Sequence, residues 1–189
     1  GANGTTAAAH SNGATVTNAS DFSGWGVAVP ADQTTLEPGL WSLDNFGEVL
    51  IATIANGETF PWNAAATDRL TVRASKSTSG FATTNNPTAS RLTLVSPTAR
   101  HLLHFGTETT IGTASTQDDM FIRFSVQEDI NTYTPTSTNT AGTLRLQDGT
   151  KIVGALKAKE SILVFTDNAL YTMKYIGSPF YFNLEQVGT

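Results

Sequence analysis

The segment SILVFTDNALYTMKY, Ser161 to Tyr175, indicates most clearly how this chain folds. Its two apolar runs flank a Thr-Asp-Asn sequence, which favours a turn. The first run, ILVF, is apolar throughout, as in an inner strand that is covered on both faces. In the second run Tyr171, Met173 and Tyr175 alternate with polar residues, which is the period of a strand with one buried face. The segment therefore predicts an inner strand that turns into a half-buried neighbour.

Similar short runs recur from Leu36 onward, and none of them has the pattern of an amphipathic helix. They are enriched in β-branched and aromatic residues, and Gly, Pro, Asn or Asp separates most of them. Asp148-Gly149, within LRLQDGTKIVG, predicts another tight hairpin because it supplies positive φ angles. Residues 1–35 mix small residues without a period of 2 or 3.6 and predict an irregular N-terminal arm. We expect an all-β fold.

The runs overlay as three copies of one unit, each with two aliphatic positions seven residues apart. These pairs are Leu43 and Leu50, Val95 and Leu102, and Leu156 and Leu163. An aromatic strand and a more polar strand follow each pair, so each copy predicts an antiparallel four-stranded sheet. The copies span about 36–88, 89–148 and 149–189, within one domain of residues 36–189. Such units are typical of β-propeller blades, which bury their faces by stacking side by side.

Three blades do not close a propeller ring, since closed rings have about 4–8. The chain also begins with Gly1 rather than Met. We therefore expect a partial propeller and a piece of a longer protein. The alternative is that the arm and a neighbouring chain complete the ring.

Composition excludes several classes of function. The net charge of −5 argues against a general nucleic-acid-binding surface. The chain has no cysteine, which excludes disulfides and thiolate metal sites. Charged residues make up 14%, against the usual ~25%, so the surface is rich in uncharged polar residues instead. No apolar run approaches the ~18 residues of a membrane span.

His101 and His104 are the first candidates for a metal site. On a strand this spacing directs the two rings to opposite faces, and no acidic partner motif is nearby. We interpret them as one packed histidine and one surface histidine.

Glu108, Asp118 and Asp119 are the only carboxylates that suit an acid/base pair beside an aromatic strand. Glycoside cleavage requires two carboxyl groups about 5–10 Å apart. Adjacent aspartates at the end of a loop are more often turn residues, here ahead of the run MFIRFS. We therefore assign no catalytic, cofactor-binding or metal-binding residue and expect a protein that is not an enzyme.

Other features suggest contacts rather than chemistry. A small basic patch, Lys151, Lys157 and Lys159, is typical of a solvated face. Trp25, Trp41, Trp62 and the tyrosines can stack on sugars but more often pack between sheets. Three long, polar loops suit contact with other subunits or with a passing polymer; they are Ser75–Ser90, Gly106–Asp119 and Asn131–Gly142.

The residues also resemble a known family. The string NTAG-x-LRL-x-DG-x-KIVGA-x-K…ILVFTD-x-ALY-x-MKYIG-x-PF, Asn139 to Phe180, is similar to the β-propeller region of the tail nozzle protein of short-tailed bacteriophages, often called tail tubular protein B. Supporting stretches are LWSLDNFGEVLIAT, ARHLLHFGTE and DDMFIRFSVQEDINTYTPT. The resemblance covers about Leu36 to Phe182, and residues 1–35 have no counterpart.

The resemblance implies a virion structural protein. In that family six copies form a ring below the tail adaptor, and the channel of the ring retains the genome and conducts it during ejection. We accordingly expect a homo-oligomer in the virion tail that contacts other tail proteins and passing DNA, without cofactor, sequence-specific binding or membrane insertion. An acidic balance is compatible with a channel that must not hold phosphates.

Two other functions remain open. A carbohydrate-binding propeller for host-cell adsorption would use exposed aromatic residues such as Trp25 or Tyr133. A glycosidase would need two converging carboxylates, with Asp119 as its acid.

Overall fold

The computed structural model describes residues 8–9, 15–16, 39–63 and 86–189, and the chain divides into two units, 1–39 and 40–189. In the first unit β1 (Ala8–Ala9) pairs antiparallel with β2 (Thr15–Val16). We expected this arm to be irregular. A pair of two-residue strands is too short to produce the alternation by which strands are recognised in a sequence.

The described residues of the second unit, 40–63 and 86–189, contain three antiparallel sheets, each formed by strands that follow one another in this part of the chain. Sheet 1 comprises β3 (Trp41–Phe46), β4 (Val49–Ile54) and β5 (Thr59–Asn63). Sheet 2 comprises β6 (Leu92–Val95), β7 (Leu102–Phe105), β8 (Phe121–Phe124) and β9 (Gly142–Arg145). Sheet 3 comprises β10 (Ile152–Lys157), β11 (Ser161–Thr166), β12 (Leu170–Gly177) and β13 (Tyr181–Gly188).

The all-β fold is thus confirmed, with one turn of 3-10 helix at Ala114–Thr116 as the only helical element of the described residues. No helix in these ranges is long and apolar enough to cross a membrane. The more polar strand that was predicted to close the first copy is not among the described residues, which omit 64–85.

The hairpin predicted from Ser161 to Tyr175 is confirmed as β11 and β12. Ile162 is opposite Met173 and Val164 is opposite Tyr171, and all four side chains are buried. β11 is an inner strand, between β10 and β12. Its second face is only half covered, since the side chains between the buried positions keep partial exposure.

The three sheets stack in chain order, with sheet 2 in the middle. One apolar cluster joins sheets 2 and 3, and its main members are Leu103, Phe105, Ile122, Phe124, Leu146, Ile152, Ile162, Val164, Tyr171, Met173 and Phe182. A second cluster joins sheets 1 and 2 and consists of Phe46, Ile51, Val95, Leu102, Ile130 and Tyr133. Sheet 2 is therefore covered on both faces, and all four residues of β7 are buried.

The first strands of the three sheets meet at Asp44. Its Oδ2 accepts a hydrogen bond from the backbone N–H of Val95 in β6 at 2.6 Å. Lys157 of β10 brings its Nζ to 2.6 Å from Oδ1 of the same carboxylate. Beside this contact the N–H of Thr93 donates to Ser42 Oγ at 3.1 Å. β3, β6 and β10 therefore lie together, and the later strands of each sheet lead away from them.

The seven-residue repeat describes hairpin register in two of its three copies. Val95 is opposite Leu102, and Leu156 is opposite Leu163. In the first copy a two-residue turn between β3 and β4 instead places Leu43 opposite another residue, so that pair is offset.

The equivalence of the second and third copies is wrong with respect to sheet faces. Val95 and Leu102 face sheet 1, whereas Leu156 and Leu163 lie on the face of sheet 3 that points away from sheet 2. A spacing of seven fixes which residues are opposite each other but not which face they occupy, because a shift of one residue reverses the face.

The hairpin predicted at Asp148-Gly149 is also wrong, since β9 and β10 belong to different sheets. Gly149 does adopt a positive φ of 115°, and a Cβ there would lie 2.7 Å from Thr166 Oγ1. The dipeptide therefore marks a tight local bend between two sheets, because turn chemistry does not determine whether the flanking strands pair with each other.

Candidate functional site

His104 is fully buried on the face of sheet 2 that points towards sheet 1. Its Nδ1 lies 2.8 Å from Ser90 Oγ, and its Nε2 lies 3.1 Å from the hydroxyl of Tyr133. Burial, reinforced by the nearby positive charge of Arg123, lowers the pKa of His104 to about 3. Both ring nitrogens already have partners, so the residue is built into the core.

His101 is fully buried on the opposite side of sheet 2. Its Nδ1 donates to the carbonyl oxygen of Ser125 at 2.7 Å, which leaves Nε2 as an acceptor without a partner. The ring packs against three aromatic rings of the sheet 2–sheet 3 cluster: Phe124, Tyr175 and Phe182. Burial lowers the pKa of His101, although the Ser125 carbonyl partly opposes this.

The two histidines face opposite sides, but the expectation of one surface histidine was wrong. β7 is an inner strand of a sheet that is covered on both faces, so neither side reaches solvent. Among the residues that the structure describes, no three His, Asp or Glu side chains converge in a group that could hold a metal ion.

Glu108 is fully buried and braces two loops. Its Oε1 accepts from the N–H of Thr88 at 2.8 Å and from the hydroxyl of the same residue. Its Oε2 accepts from the N–H groups of Gly112 at 2.6 Å and Thr113 at 3.2 Å. With four donors on one carboxylate, the side chain holds the 109–113 loop against the 86–90 segment.

Arg123 of β8 is buried beside Glu108 and supports the same loop. Its Nη2 donates to the carbonyl oxygens of Glu108 at 3.1 Å and Thr109 at 2.9 Å. The guanidinium carbon lies 5.4 Å from the centre of the Phe121 ring. Burial lowers the pKa of Arg123, and the Glu108 charge opposes that effect.

Asp118 and Asp119 pair with different arginines. Asp118 accepts from Arg145 Nε at 2.7 Å and from the N–H of Met120 at 2.9 Å, and Asp119 lies 3.0 Å from Arg91 Nη1. Partial burial opposes ionisation of Asp118, but these two hydrogen bonds outweigh it and lower its pKa. The interpretation of the pair as turn residues ahead of β8 is confirmed.

Of the three lysines of the basic patch, Lys157 forms an ion pair with Asp44. Lys151 and Lys159 are exposed. The patch therefore presents two solvated charges.

Most of the described aromatic residues that were considered for sugar stacking pack against other side chains of the chain. Tyr133 is fully buried against His104, so its proposed exposed role was wrong. Trp41 is 47% exposed and contacts Phe60, with ring centres 6.1 Å apart. Trp62 is half-buried, and Trp25 lies outside the described residues.

The long loops are closed by their own polar side chains. In the 106–119 loop the Thr116 hydroxyl accepts from the N–H of Thr110 at 3.1 Å and donates to the carbonyl oxygen of Thr113 at 2.8 Å. In the 131–142 loop the Asn139 amide donates to the Thr134 carbonyl at 2.9 Å and accepts from the N–H groups of Thr136 at 3.0 Å and Ala141 at 3.2 Å. Most of the 75–90 loop lies outside the described residues.

A feature that the sequence did not indicate is a cleft between the outer edges of sheets 2 and 3. One part has a volume of about 430 Å³ and the adjoining part about 270 Å³, and both are lined by Leu144, Phe180 and Phe182. Phe180, at the tip of the β12–β13 hairpin, is 74% exposed. One feature of the sequence could have indicated the cleft: Phe180 directly follows Ser178-Pro179, which favours a turn. A large apolar side chain in a turn is not placed to enter the core. This cleft is the candidate binding site.

Comparison with known proteins gives no relative for this chain: no family model, no curated protein and no solved structure matches it.

Proposed function

We propose that the protein is a structural component of a bacteriophage tail and contributes to the nozzle channel that retains and conducts the genome. In this proposal sheets 1 to 3 are consecutive blades of a partial β-propeller. The chain acts in a homo-oligomeric ring beside other tail proteins and carries out no catalysis.

The observation that carries the proposal is the arrangement of the sheets around Asp44. Each sheet is a meander of consecutive strands, the sheets follow one another in chain order, and their first strands meet at one carboxylate. Propeller blades are four-stranded sheets arranged one after another around a central channel. The similarity of residues 139–180 to the nozzle family supports the particular assignment.

The polar side chains of the core support a structural role. Glu108, Asp118 and Asp119 are each occupied by hydrogen bonds or ion pairs that hold loops and strands. A catalytic acid or base must instead reach a substrate. The alternative function, a glycosidase, would use these same carboxylates.

The test is immunogold labelling of the particle that encodes this chain. An antibody raised against residues 40–189 is expected to decorate the tail in negative-stain images, and an antibody against the capsid shell protein is the control. Label on the shell, or only in the host cytosol, would overturn the proposal.

A further inference from the structure

Among the described strands, β9 forms one edge of sheet 2. In the described part of the chain it pairs with β8 alone. The N–H of Leu146 donates to the Met120 carbonyl at 3.0 Å, and because bonded positions alternate in an antiparallel pair, Leu144 and Gly142 also bond towards β8. The N–H and C=O groups of Thr143 therefore point away from sheet 2, where another strand could pair with them.

The cleft lies beside this edge and faces sheet 3. Leu144 packs partly against the sheet 2–sheet 3 cluster, so it projects towards β13. A strand added to β9 would direct every second side chain to the same face as Leu144, because side chains alternate along a strand. Those side chains would enter the cleft between Leu144 and Phe182.

The hairpin tip holds Phe180 across the mouth of the cleft. Gly177 and Tyr181 both adopt positive φ, 79° and 57°, and the N–H of Phe182 donates to the Phe180 carbonyl at 2.7 Å. A positive φ is unfavourable for a tyrosine. The resulting bend leaves Phe182 3% exposed in the core and Phe180 74% exposed over the cleft.

Several polar groups of the cleft wall already have partners within the chain. Arg145 is bound to Asp118 at 2.7 Å, and the Gln147 amide donates to the Arg145 carbonyl at 3.4 Å. Asn139 is occupied within its own loop. What the site offers is a backbone edge beside apolar side chains, which is the chemistry of strand addition.

We propose that the edge of β9 and its cleft bind an extended peptide segment of a partner protein. The segment pairs with the backbone of Thr143 and carries apolar side chains at alternate positions, one of which packs between Leu144 and Phe180. This inference does not depend on the proposed function in the tail.

The experiment begins with a displayed library of random heptapeptides, selected against the full chain. Enriched peptides are expected to share bulky apolar residues at alternate positions. Phe180→Ala and Thr143→Pro are each expected to raise the Kd of a selected synthetic peptide at least about tenfold. Val187→Ala is the matched control, because Val187 is exposed on β13 but does not line the cleft, and it should change the Kd less than about twofold.

A second readout separates loss of the edge from loss of folding. Peptide binding to the unmutated chain should slow hydrogen exchange at the Thr143 amide, since that N–H becomes hydrogen-bonded. The proposal is overturned if no peptide is enriched. It is likewise overturned if Phe180→Ala leaves the Kd unchanged, if exchange at Thr143 is unaffected, or if a glycan array shows binding that Phe180→Ala abolishes.

Discussion

At the scale of single residues, the polar side chains buried around sheet 2 determine how its loops are held. Glu108, Arg123 and His104 are all within or beside β7 and β8, and each satisfies groups on a neighbouring segment. These contacts stabilise the loops, because a buried polar group that loses its hydrogen bond costs about 1–3 kcal/mol. The sequence identified Glu108 and the histidines as unusual and predicted burial for only one histidine, since most of their partners are distant in the chain.

Replacing Glu108 should destabilise the fold without changing its shape. In Glu108→Gln an amide N–H₂ group would replace Oε2 and could not accept the hydrogen bonds that the Gly112 and Thr113 N–H groups now donate to it. We therefore expect the free energy of unfolding to fall by about 1–3 kcal/mol. Urea denaturation measures it. Glu160→Gln is the matched control, because Glu160 is exposed, and should change stability by less than about 0.5 kcal/mol. Equal effects of the two changes would contradict the bracing role.

Acid should weaken the fold as soon as the pH falls below about 6.5, because of His104. The pKa of His104 is about 3 in the folded chain, below the ordinary value of 6.5. Between these two pH values the imidazole is protonated in the unfolded chain but not in the folded chain. Stability is therefore lost as the pH falls below 6.5. Between pH 7 and 5, His104 alone should remove about 2 kcal/mol.

The lowered pKa of His101 also reduces stability as the pH falls. The lowered pKa of Asp118 reduces stability only at a pH below the range from 7 to 5. Arg123 and Tyr133 also face His104 and keep their charge states from pH 7 to 5. Urea unfolding at the two pH values provides the measurement. Ring-proton NMR signals of His104 that titrate near pH 6.5 in the folded protein would refute the explanation.

At the scale of elements, local pattern and turn chemistry predicted strands well but predicted their partners less well. The run from Ser161 to Tyr175 has apolar alternation on both sides of a turn, and the structure contains that hairpin. Asp148-Gly149 has an equally strong turn signal, yet the strands on its two sides join different sheets. The cleft beside Phe180 could not be predicted, because it arises from the separation of two sheet edges and not from any local pattern.

The two faces of β11 should differ in their contribution to stability. Ile162 is 1% exposed in the sheet 2–sheet 3 cluster, and Ile162→Ala is expected to cost about 2–5 kcal/mol. Leu163, the next residue, lies on the half-covered face, so Leu163→Ala should cost less than half as much. Urea unfolding compares them. An equal loss would mean that another layer covers the outer face of sheet 3.

At the scale of the whole unit, residues 40–189 bury the middle sheet on both sides and leave apolar side chains on the outer faces of the other two. Leu43 of sheet 1 is 62% exposed, and Leu156 of sheet 3 is 61% exposed. Exposed apolar patches commonly mark contact surfaces. Sequence periodicity predicted that the sheets stack, but it could not predict how many layers the stack has, because every layer carries the same alternation.

These outer faces should make the chain associate with itself at high concentration. Leu43→Lys combined with Leu156→Lys places a charge on each outer face and should shift the sedimentation coefficient towards that of a monomer. Ile176→Lys is the control, since Ile176 is 55% exposed but lines the cleft instead. A wild-type chain that sediments as a monomer at every concentration would contradict this expectation.

Each described sheet is assembled from strands that follow one another directly along the chain. During synthesis, at about 5–20 residues per second, each strand after the first in a sheet is made after the strand with which it pairs. Sheet 2 is covered on one side before sheet 3 has been translated, and its aromatic second side stays uncovered until the codons for residues 152–188 have been read. A nascent chain halted after sheet 2, just beyond Arg145, should therefore bind chaperones more tightly than chains halted earlier or later.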